Sequence, residues 1–87
     1  MKIKEYLTVD RWTQNALFRD EDGFESNLRR SAEKCCLLGA MLICYPIDYG
    51  EIKRKIQEKI NMPITLWNDD PERTFSEVRD LVEELDI

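Results

Sequence analysis

Cys36, Gln14 and Asp69 are the residues of this sequence whose side chains could do chemistry. A thiol at a helix N-terminus can act as a nucleophile, and a carboxamide can donate a hydrogen bond to an oxyanion. The chain has no His, so the usual base for a Cys or Ser nucleophile is missing. We therefore expect no enzymatic activity, and we keep a small-ligand binder or enzyme centred on these three residues as an alternative.

Patterns typical of metal and cofactor sites are missing as well. The cysteines at positions 35, 36 and 44 lack the C-x-x-C spacing of zinc and redox sites, and the three Gly lie far apart, which argues against a phosphate-binding loop. The acidic turn at 20–23 lacks the other ligands of an EF-hand. We expect no metal and no cofactor, and we expect reduced, buried thiols rather than a disulfide framework.

The charge of the chain limits its partners. The 13 Lys and Arg residues against 18 Asp and Glu residues give a net charge of −5. Such a chain gains nothing from counterion release on a nucleic acid, which disfavours that partner. The excess lies in residues 46–87, with six basic against eleven acidic residues. A basic protein surface is the partner that this distribution favours.

Hydropathy predicts a cytoplasmic protein without a membrane partner. The longest apolar run, CCLLGAMLICY at 35–45, has 11 residues and is too short to span a bilayer. The opening stretch MKIKEYLTVDRW lacks the apolar region of a signal peptide. A length of 87 residues leaves room for one domain, which we assign to 1–87.

The central element that must position these residues is predicted to be an apolar helix. It would begin at Ser26 or Ser31, either of which could cap free backbone amides, and end at Tyr45 before a proline. From Cys35 onward it is apolar on every side, so other elements should surround it. Gly39 inside this helix predicts close approach of another backbone.

Further helices are predicted from residue spacing and capping patterns. The first helix is indicated by Ile3, Tyr6 and Leu7 at helical spacing. The next is indicated by Asp48 as N-cap with Glu51, the staple pair Ile47 and Ile52, the stripe Ile52, Ile56 and Ile60, and a solvated face with Lys53, Arg54, Lys55 and Lys59. The last begins with the Thr74–Glu77 capping box, and its inner face is Phe75, Val78, Leu81 or Val82, and Leu85.

Two short extended segments complete the predicted fold. WTQNALF at 12–18 alternates in polarity, and Asp22-Gly23 after it suits a hairpin turn. ITLW at 64–67 follows Pro63, and the two segments could pair. We expect a mainly α fold, with α+β as the alternative: three to four short helices around one apolar central helix, with two short extended segments.

Three blocks of sequence point to a family. RWTQNALFRDEDG at 11–23, CCLLGAM at 35–41 and ITLWNDDPERTFSEV at 64–78 occur in this order and cover 35 of the 87 residues. The chain resembles an uncharacterised family of small bacterial and phage proteins with W-x-Q-x-A, C-x-L-G-A-L and W-N-D-x-P-x-R-T-x-x-E-V blocks. Met41 replaces the last Leu of the second block. The resemblance implies a small intracellular bacterial or phage protein and brings no activity with it.

Two groups of residues are candidates for function. Gln14, Asn68, Asp69 and Arg73 are predicted to form one buried polar network that ties the first extended segment to the last helix. The second group is acidic and lies on the last helix, where acidic residues near the C-terminus oppose the helix dipole and could instead serve a partner. The candidate network or partner contact is Trp12, Gln14, Trp67, Asn68, Asp69 and Arg73, and the candidate acidic partner surface is Glu77, Asp80, Glu83, Glu84 and Asp86.

These observations favour a small acidic, non-enzymatic protein-binding module of bacterial or phage origin. One specific form would be an inhibitor that covers a basic surface of a host nucleic-acid or defence machine. A self-associating structural protein, such as a homodimer, is a further alternative.

Overall fold

The protein has an α+β architecture with five α-helices and a small three-stranded antiparallel sheet. The computed structural model describes every residue from Met1 to Ile87. The elements in chain order are α1 (Ile3–Tyr6), β1 (Phe18–Arg19), β2 (Glu25–Ser26), a 3₁₀ turn (Arg29–Ser31), β3 (Lys34–Cys35), α2 (Leu37–Cys44), α3 (Tyr49–Ile60), α4 (Ile64–Asn68) and α5 (Phe75–Leu85). The α+β alternative is therefore the correct one, and the mainly α expectation holds only in that helices predominate.

All five helices contribute to one core of 14 buried apolar residues. Helix α2 lies at the centre and packs against α1, α3 and α4, as its uniformly apolar sequence predicts. Gly39 lies where α2 passes the chain before β1. A Cβ atom at this position would lie 2.5 Å from the Leu17 carbonyl oxygen, so the predicted close approach of another backbone is confirmed.

The predicted start of the central helix at Ser26 or Ser31 is wrong. Residues 25–35 instead form β2, the 3₁₀ turn and β3, and Leu28 is 54% exposed. Lys34 and Cys35 pair with β1, which requires extended backbone, so the helix cannot begin before Cys36. At its other end α2 stops at Cys44, with Tyr45 as the C-cap, as the proline at 46 predicts.

The hairpin predicted around Asp22-Gly23 is present. β1 pairs antiparallel with β2 across this turn, and Gly23 has a φ of +86°, which glycine adopts without strain. The strand predicted at 12–18 is mostly absent, because Asn15 has a φ of +65° and interrupts the extended chain. The sheet order is β2-β1-β3, so the predicted pairing of 12–18 with 64–67 is wrong.

Residues 64–67 belong to helix α4 instead of an extended segment. The Pro63 carbonyl accepts the Trp67 amide hydrogen at 3.1 Å, which closes the first helical turn. The helical spacing of i and i+4 then places Ile64 and Asn68 together on the buried side. A four-residue apolar run carries too little periodicity to separate a strand from a helix.

The remaining helices, α1, α3 and α5, form where the sequence predicts helices. α1 is a single short turn that carries buried Ile3, and α3 buries Ile52 and Ile56. The Asp48 side chain makes no capping bond, and Ile47 is 89% exposed, so the expected cap contacts of α3 are missing. α5 begins with the predicted capping box, in which the side chains of Thr74 and Glu77 each accept a hydrogen bond from the other residue's backbone amide.

None of the five helices combines the length and the apolar character that crossing a bilayer requires.

Candidate functional site

Asn68 is the central residue of a polar corner at the end of α4, and it is 0% exposed. Its carboxamide oxygen accepts hydrogen bonds from the Trp12 indole nitrogen at 2.7 Å and the Leu37 backbone amide at 3.0 Å. Its Nδ2 atom donates to the Thr13 carbonyl at 3.1 Å and to the Asp69 carboxylate at 2.9 Å. One side chain thereby joins α4 to the start of α2 and to the segment before β1.

Gln14 and Asp69 strengthen the same junction. Gln14 Nε2 donates to the backbone carbonyls of Asn68 at 2.9 Å and Asp70 at 2.7 Å. In the opposite direction, the Asn15 amide donates to Asp69 Oδ1 at 2.9 Å. The segment at 12–15 is therefore held against the end of α4 by side-chain hydrogen bonds, where the sequence predicted a strand ladder.

Arg73 connects this corner to α5. Its Nε atom donates to the Trp67 carbonyl at 2.9 Å, and its guanidinium carbon lies 4.0 Å from the centre of the Trp67 ring, within the range of a cation–π contact. The Nη1 atom donates to Glu77 Oε2 at 2.8 Å. The hydrogen bond from the Thr74 amide, and to a smaller extent the hydrogen bond and positive charge of Arg73, hold the pKa of Glu77 below its usual value. Arg73 thus packs beside the Asn68 network through Trp67 and makes no direct bond to the side chains of Gln14 or Asn68.

Four of the five acidic candidates share one exposed face of α5. Glu77, Asp80, Glu83 and Glu84 fall within about 120° of the helix circumference at 3.6 residues per turn, opposite the buried side. Glu77 pairs with Arg73, and the Glu84 carboxylate lies 2.9 Å from Lys59 Nζ on α3. No basic group lies within 4.0 Å of the carboxylates of Asp80 and Glu83.

Asp86 lies apart from this acidic face. It follows α5 in a left-handed conformation, with a φ of +54°. Its carboxylate oxygen lies 2.8 Å from Lys2 Nζ and 2.6 Å from Lys4 Nζ. The bonds from Lys2 and then Lys4 lower the pKa of Asp86 from 3.8 to about 2. Asp86 therefore joins the two ends of the described chain and adds little to the charge on the α5 face.

A shallow, open groove of about 500 Å³ runs between α3 and α5, beside the indole of α4. Its apolar part is formed by Ile60, Trp67 and Leu81. Its charged part consists of Lys59, Arg73, Glu77, Asp80 and Glu84. Asp80 lies one helical turn from each of the two paired carboxylates, so the groove has one carboxylate without a basic partner between two ion pairs.

Cys36 lies at the N-cap of α2. The sequence had predicted a position inside the central helix, which is wrong. The Cys36 sulfur accepts a hydrogen bond from the Gly39 amide at 3.4 Å, and the residue is buried. Burial raises the pKa of the Cys36 thiol. The same cause raises the pKa of Cys35 to about 12 and raises that of Cys44. These environments favour the thiol over the nucleophilic thiolate.

The comparison with protein families assigns the chain to a group. Residues 1–85 match the model of a family of unknown function, DUF6197. The chain belongs to this family. The match includes all three sequence blocks, the polar corner and the acidic face of α5. No curated protein matches the chain, and no solved structure matches it.

Several groups that complete the polar corner and the groove belong to no local sequence pattern from which their role could be predicted. Thr13 and Leu37 contribute backbone atoms, which any residue type provides. Lys59 was expected on a solvated face of α3, and only the packing of α3 beside α5 brings it to Glu84. The structure holds no group of three or more Cys, Asp or Glu side chains arranged to hold a metal ion.

Proposed function

We propose that this protein is a non-enzymatic protein-binding module that uses the acidic face of α5 to hold a basic surface of a partner protein. The observation that carries the proposal is the gathering of Glu77, Asp80, Glu83 and Glu84 on one exposed helix face. Two of these carboxylates, on Asp80 and Glu83, have no basic group within 4.0 Å and are free to pair with a partner.

The charge around this face supports the proposal. Residues 61–87 carry eight Asp and Glu residues and two Arg residues, so this part of the chain holds more negative charge than the whole. A concentrated field of one sign steers an oppositely charged partner and speeds its association. Val78 and Val82 on the opposite side of α5 are buried in the core, so the helix is anchored with its acidic face outward.

The polar corner supports binding over catalysis. The side chains of Asn68, Gln14 and Asp69 already make hydrogen bonds within the chain, and no buried side-chain nitrogen or oxygen lacks a partner. Buried thiols with raised pKa values make poor nucleophiles. In this proposal the polar corner holds α4 and α5 in place, and the exposed face of α5 is the surface that binds the partner.

A specific form of this proposal is an intracellular inhibitor of bacterial or phage origin. Enzymes and defence machines that handle nucleic acids hold phosphates through basic surfaces. An acidic helix face of fixed geometry could occupy such a surface in place of phosphates. The expected partner is therefore a basic protein, and the expected location of the complex is the cytoplasm.

The test compares two charge-reversal variants that change the net charge equally. Asp80→Lys/Glu83→Lys alters the α5 face, and Glu21→Lys/Glu25→Lys alters exposed carboxylates on the β1–β2 hairpin. Tagged wild type and both variants are used to capture partners from a lysate of the source organism, at about 50 and about 300 mM salt. Each captured protein is identified, purified and titrated against all three chains by calorimetry.

We expect the hairpin variant to bind the purified partner like wild type, and the α5 variant to bind at least roughly tenfold more weakly, because like charges would then face each other. We also expect affinity to fall as salt is raised. Capture of no basic partner, or equal binding by all three chains, would refute the proposal.

A further inference from the structure

We propose that the groove between α3 and α5 receives a single basic side chain, from an Arg or a Lys on the partner's surface. This inference rests on the proposed function, because it assumes that α5 is the face that meets the partner. It goes further by naming the group that enters and the carboxylate that receives it, which is Asp80.

The charges in the groove call for one more cation. Three carboxylates, those of Glu77, Asp80 and Glu84, line it together with two basic groups, those of Lys59 and Arg73. The two basic groups are used by the outer carboxylates, at 2.8 Å for Arg73–Glu77 and 2.9 Å for Lys59–Glu84. Asp80 is left without a partner between the two pairs. One incoming cation would balance the set, whereas a second would meet Lys59 and Arg73.

The apolar part of the groove suits the rest of such a side chain. Arg and Lys carry a methylene stem that packs on apolar surface while the charged end stays near water or a carboxylate. Ile60 of α3, Trp67 of α4 and Leu81 of α5 supply that surface within the groove that Asp80 also lines. The groove is shallow and open, so the charged end can reach Asp80 without losing all its water, which limits the desolvation cost of pairing.

The first test separates Asp80 from the rest of the acidic face. Asp80→Asn and Glu83→Gln each remove one negative charge from α5, but Asp80 lines the groove and Glu83 does not. In calorimetric titrations with the purified partner, we expect Asp80→Asn to weaken binding roughly tenfold, the size of a lost hydrogen bond to a charged group. We expect Glu83→Gln to weaken it less than about twofold, as for a charge at the rim of an interface. Both positions are exposed, and thermal unfolding verifies that both variants fold.

The second test needs no partner. Isotope-labelled wild type is titrated with three capped tripeptides, Gly-Arg-Gly, Gly-Lys-Gly and Gly-citrulline-Gly, and followed by NMR. We expect the Arg or the Lys peptide to shift the Trp67 indole and Leu81 amide signals, and the uncharged citrulline peptide to leave them in place. In the same titration of the Asp80→Asn variant, we expect these shifts to be absent. In wild type, the relative size of the shifts caused by the Arg and Lys peptides shows which side chain the groove prefers.

The outcomes distinguish this inference from the proposed function. Equal weakening by Asp80→Asn and Glu83→Gln would overturn the groove assignment and leave the acidic face as the binding surface. If the charged peptides shift the Trp67 and Leu81 signals but the affinity of the purified partner is unchanged by the α5 charge reversal, the groove binds cations, yet both the proposed function and the assignment of the groove to a side chain of the partner are overturned. Absence of shifts in the groove with both charged peptides would overturn the inference.

Discussion

The indole nitrogen of Trp12 donates a hydrogen bond of 2.7 Å to Asn68 Oδ1, although the two residues lie 56 positions apart. The same oxygen accepts the amide hydrogen of Leu37, the first residue of α2. A helix leaves its first amides without partners inside the helix. Asn68 therefore caps α2 from another part of the chain, while it also anchors the segment that leads to β1.

Replacing Asn68 with Ala should lower the free energy of unfolding by about 3 kcal/mol, because the buried Leu37 amide and the Trp12 indole would lose their acceptor. Urea denaturation followed by tryptophan fluorescence measures the change. Asn27→Ala is the matched control, since Asn27 is exposed and should change stability by less than about 0.5 kcal/mol. A similar stability for the two variants would show that the corner contributes little to the fold.

Gly39→Ala and Gly50→Ala should have opposite effects on stability. A Cβ atom at Gly39 would lie 2.5 Å from a backbone oxygen, so we expect a loss of about 2 kcal/mol as α2 and β1 move apart. At Gly50, in α3, no atom lies within 4 Å of the added Cβ atom, so we expect a gain of about 0.5 kcal/mol. Thermal unfolding of both variants tests the pair, and a stabilising Gly39→Ala would contradict the close packing of α2 against the chain before β1.

Asp86 should make stability depend on pH in the acid range. Its pKa of about 2 in the folded protein lies below the ordinary value of 3.8, so its pairs with Lys2 and Lys4 stabilise the fold above pH 3.8. This contribution is lost as the pH falls through about 2. Asp86→Asn removes the charge but keeps a residue type that tolerates a positive φ.

The measurement for Asp86 is the difference in urea midpoint between wild type and Asp86→Asn. We expect the difference to be largest near neutral pH and low salt, to shrink as the pH falls through about 2, and to be small in about 1 M salt. Asp10→Asn, at an exposed carboxylate without a salt bridge, provides the control. A difference that persists at both extremes would show that the carboxylate does not act through its charge.

The three thiols should differ in reactivity. Burial raises the pKa of Cys35 to about 12 and raises that of Cys36, and both residues are buried, whereas Cys44 is only partly buried. With iodoacetamide at mildly alkaline pH, we expect Cys44 to be modified first and the other two only after unfolding in urea. Mass spectrometry of digested samples locates each modification. Fast modification of Cys36 in the native protein would instead support the alternative of a site centred on a reactive Cys36 thiol.

Features encoded by neighbouring residues could be predicted from the sequence. The Thr74–Glu77 capping box, the isoleucine stripe of α3 and the Asp22-Gly23 turn each depend on contacts within about one helical turn or one hairpin. Gly39 was informative because a glycine inside a helix is costly unless another group needs its space. In each case the physical reason lies in the local sequence.

Features that depend on distant contacts were predicted poorly. Cys35 and Lys34 were assigned to a helix, because only their pairing with β1 makes them extended. ITLW was assigned to an extended segment, because the burial of Asn68 that favours the helix needs Trp12 and Leu37 in place. Asp86 was grouped with the acidic face, because its left-handed turn toward Lys2 and Lys4 does not follow from helical spacing.

The long sequence separations of the Asn68 hydrogen bonds also bear on folding kinetics. Its partners lie 56, 55 and 31 positions away along the chain, so two large loops, from 12–13 to 68 and from 37 to 68, must close before the carboxamide is satisfied. Loop closure costs entropy that nearby contacts such as the Thr74 cap do not incur. Asn68 is thus expected to engage after the rate-limiting barrier, so that its loss would accelerate unfolding and leave the refolding rate nearly unchanged.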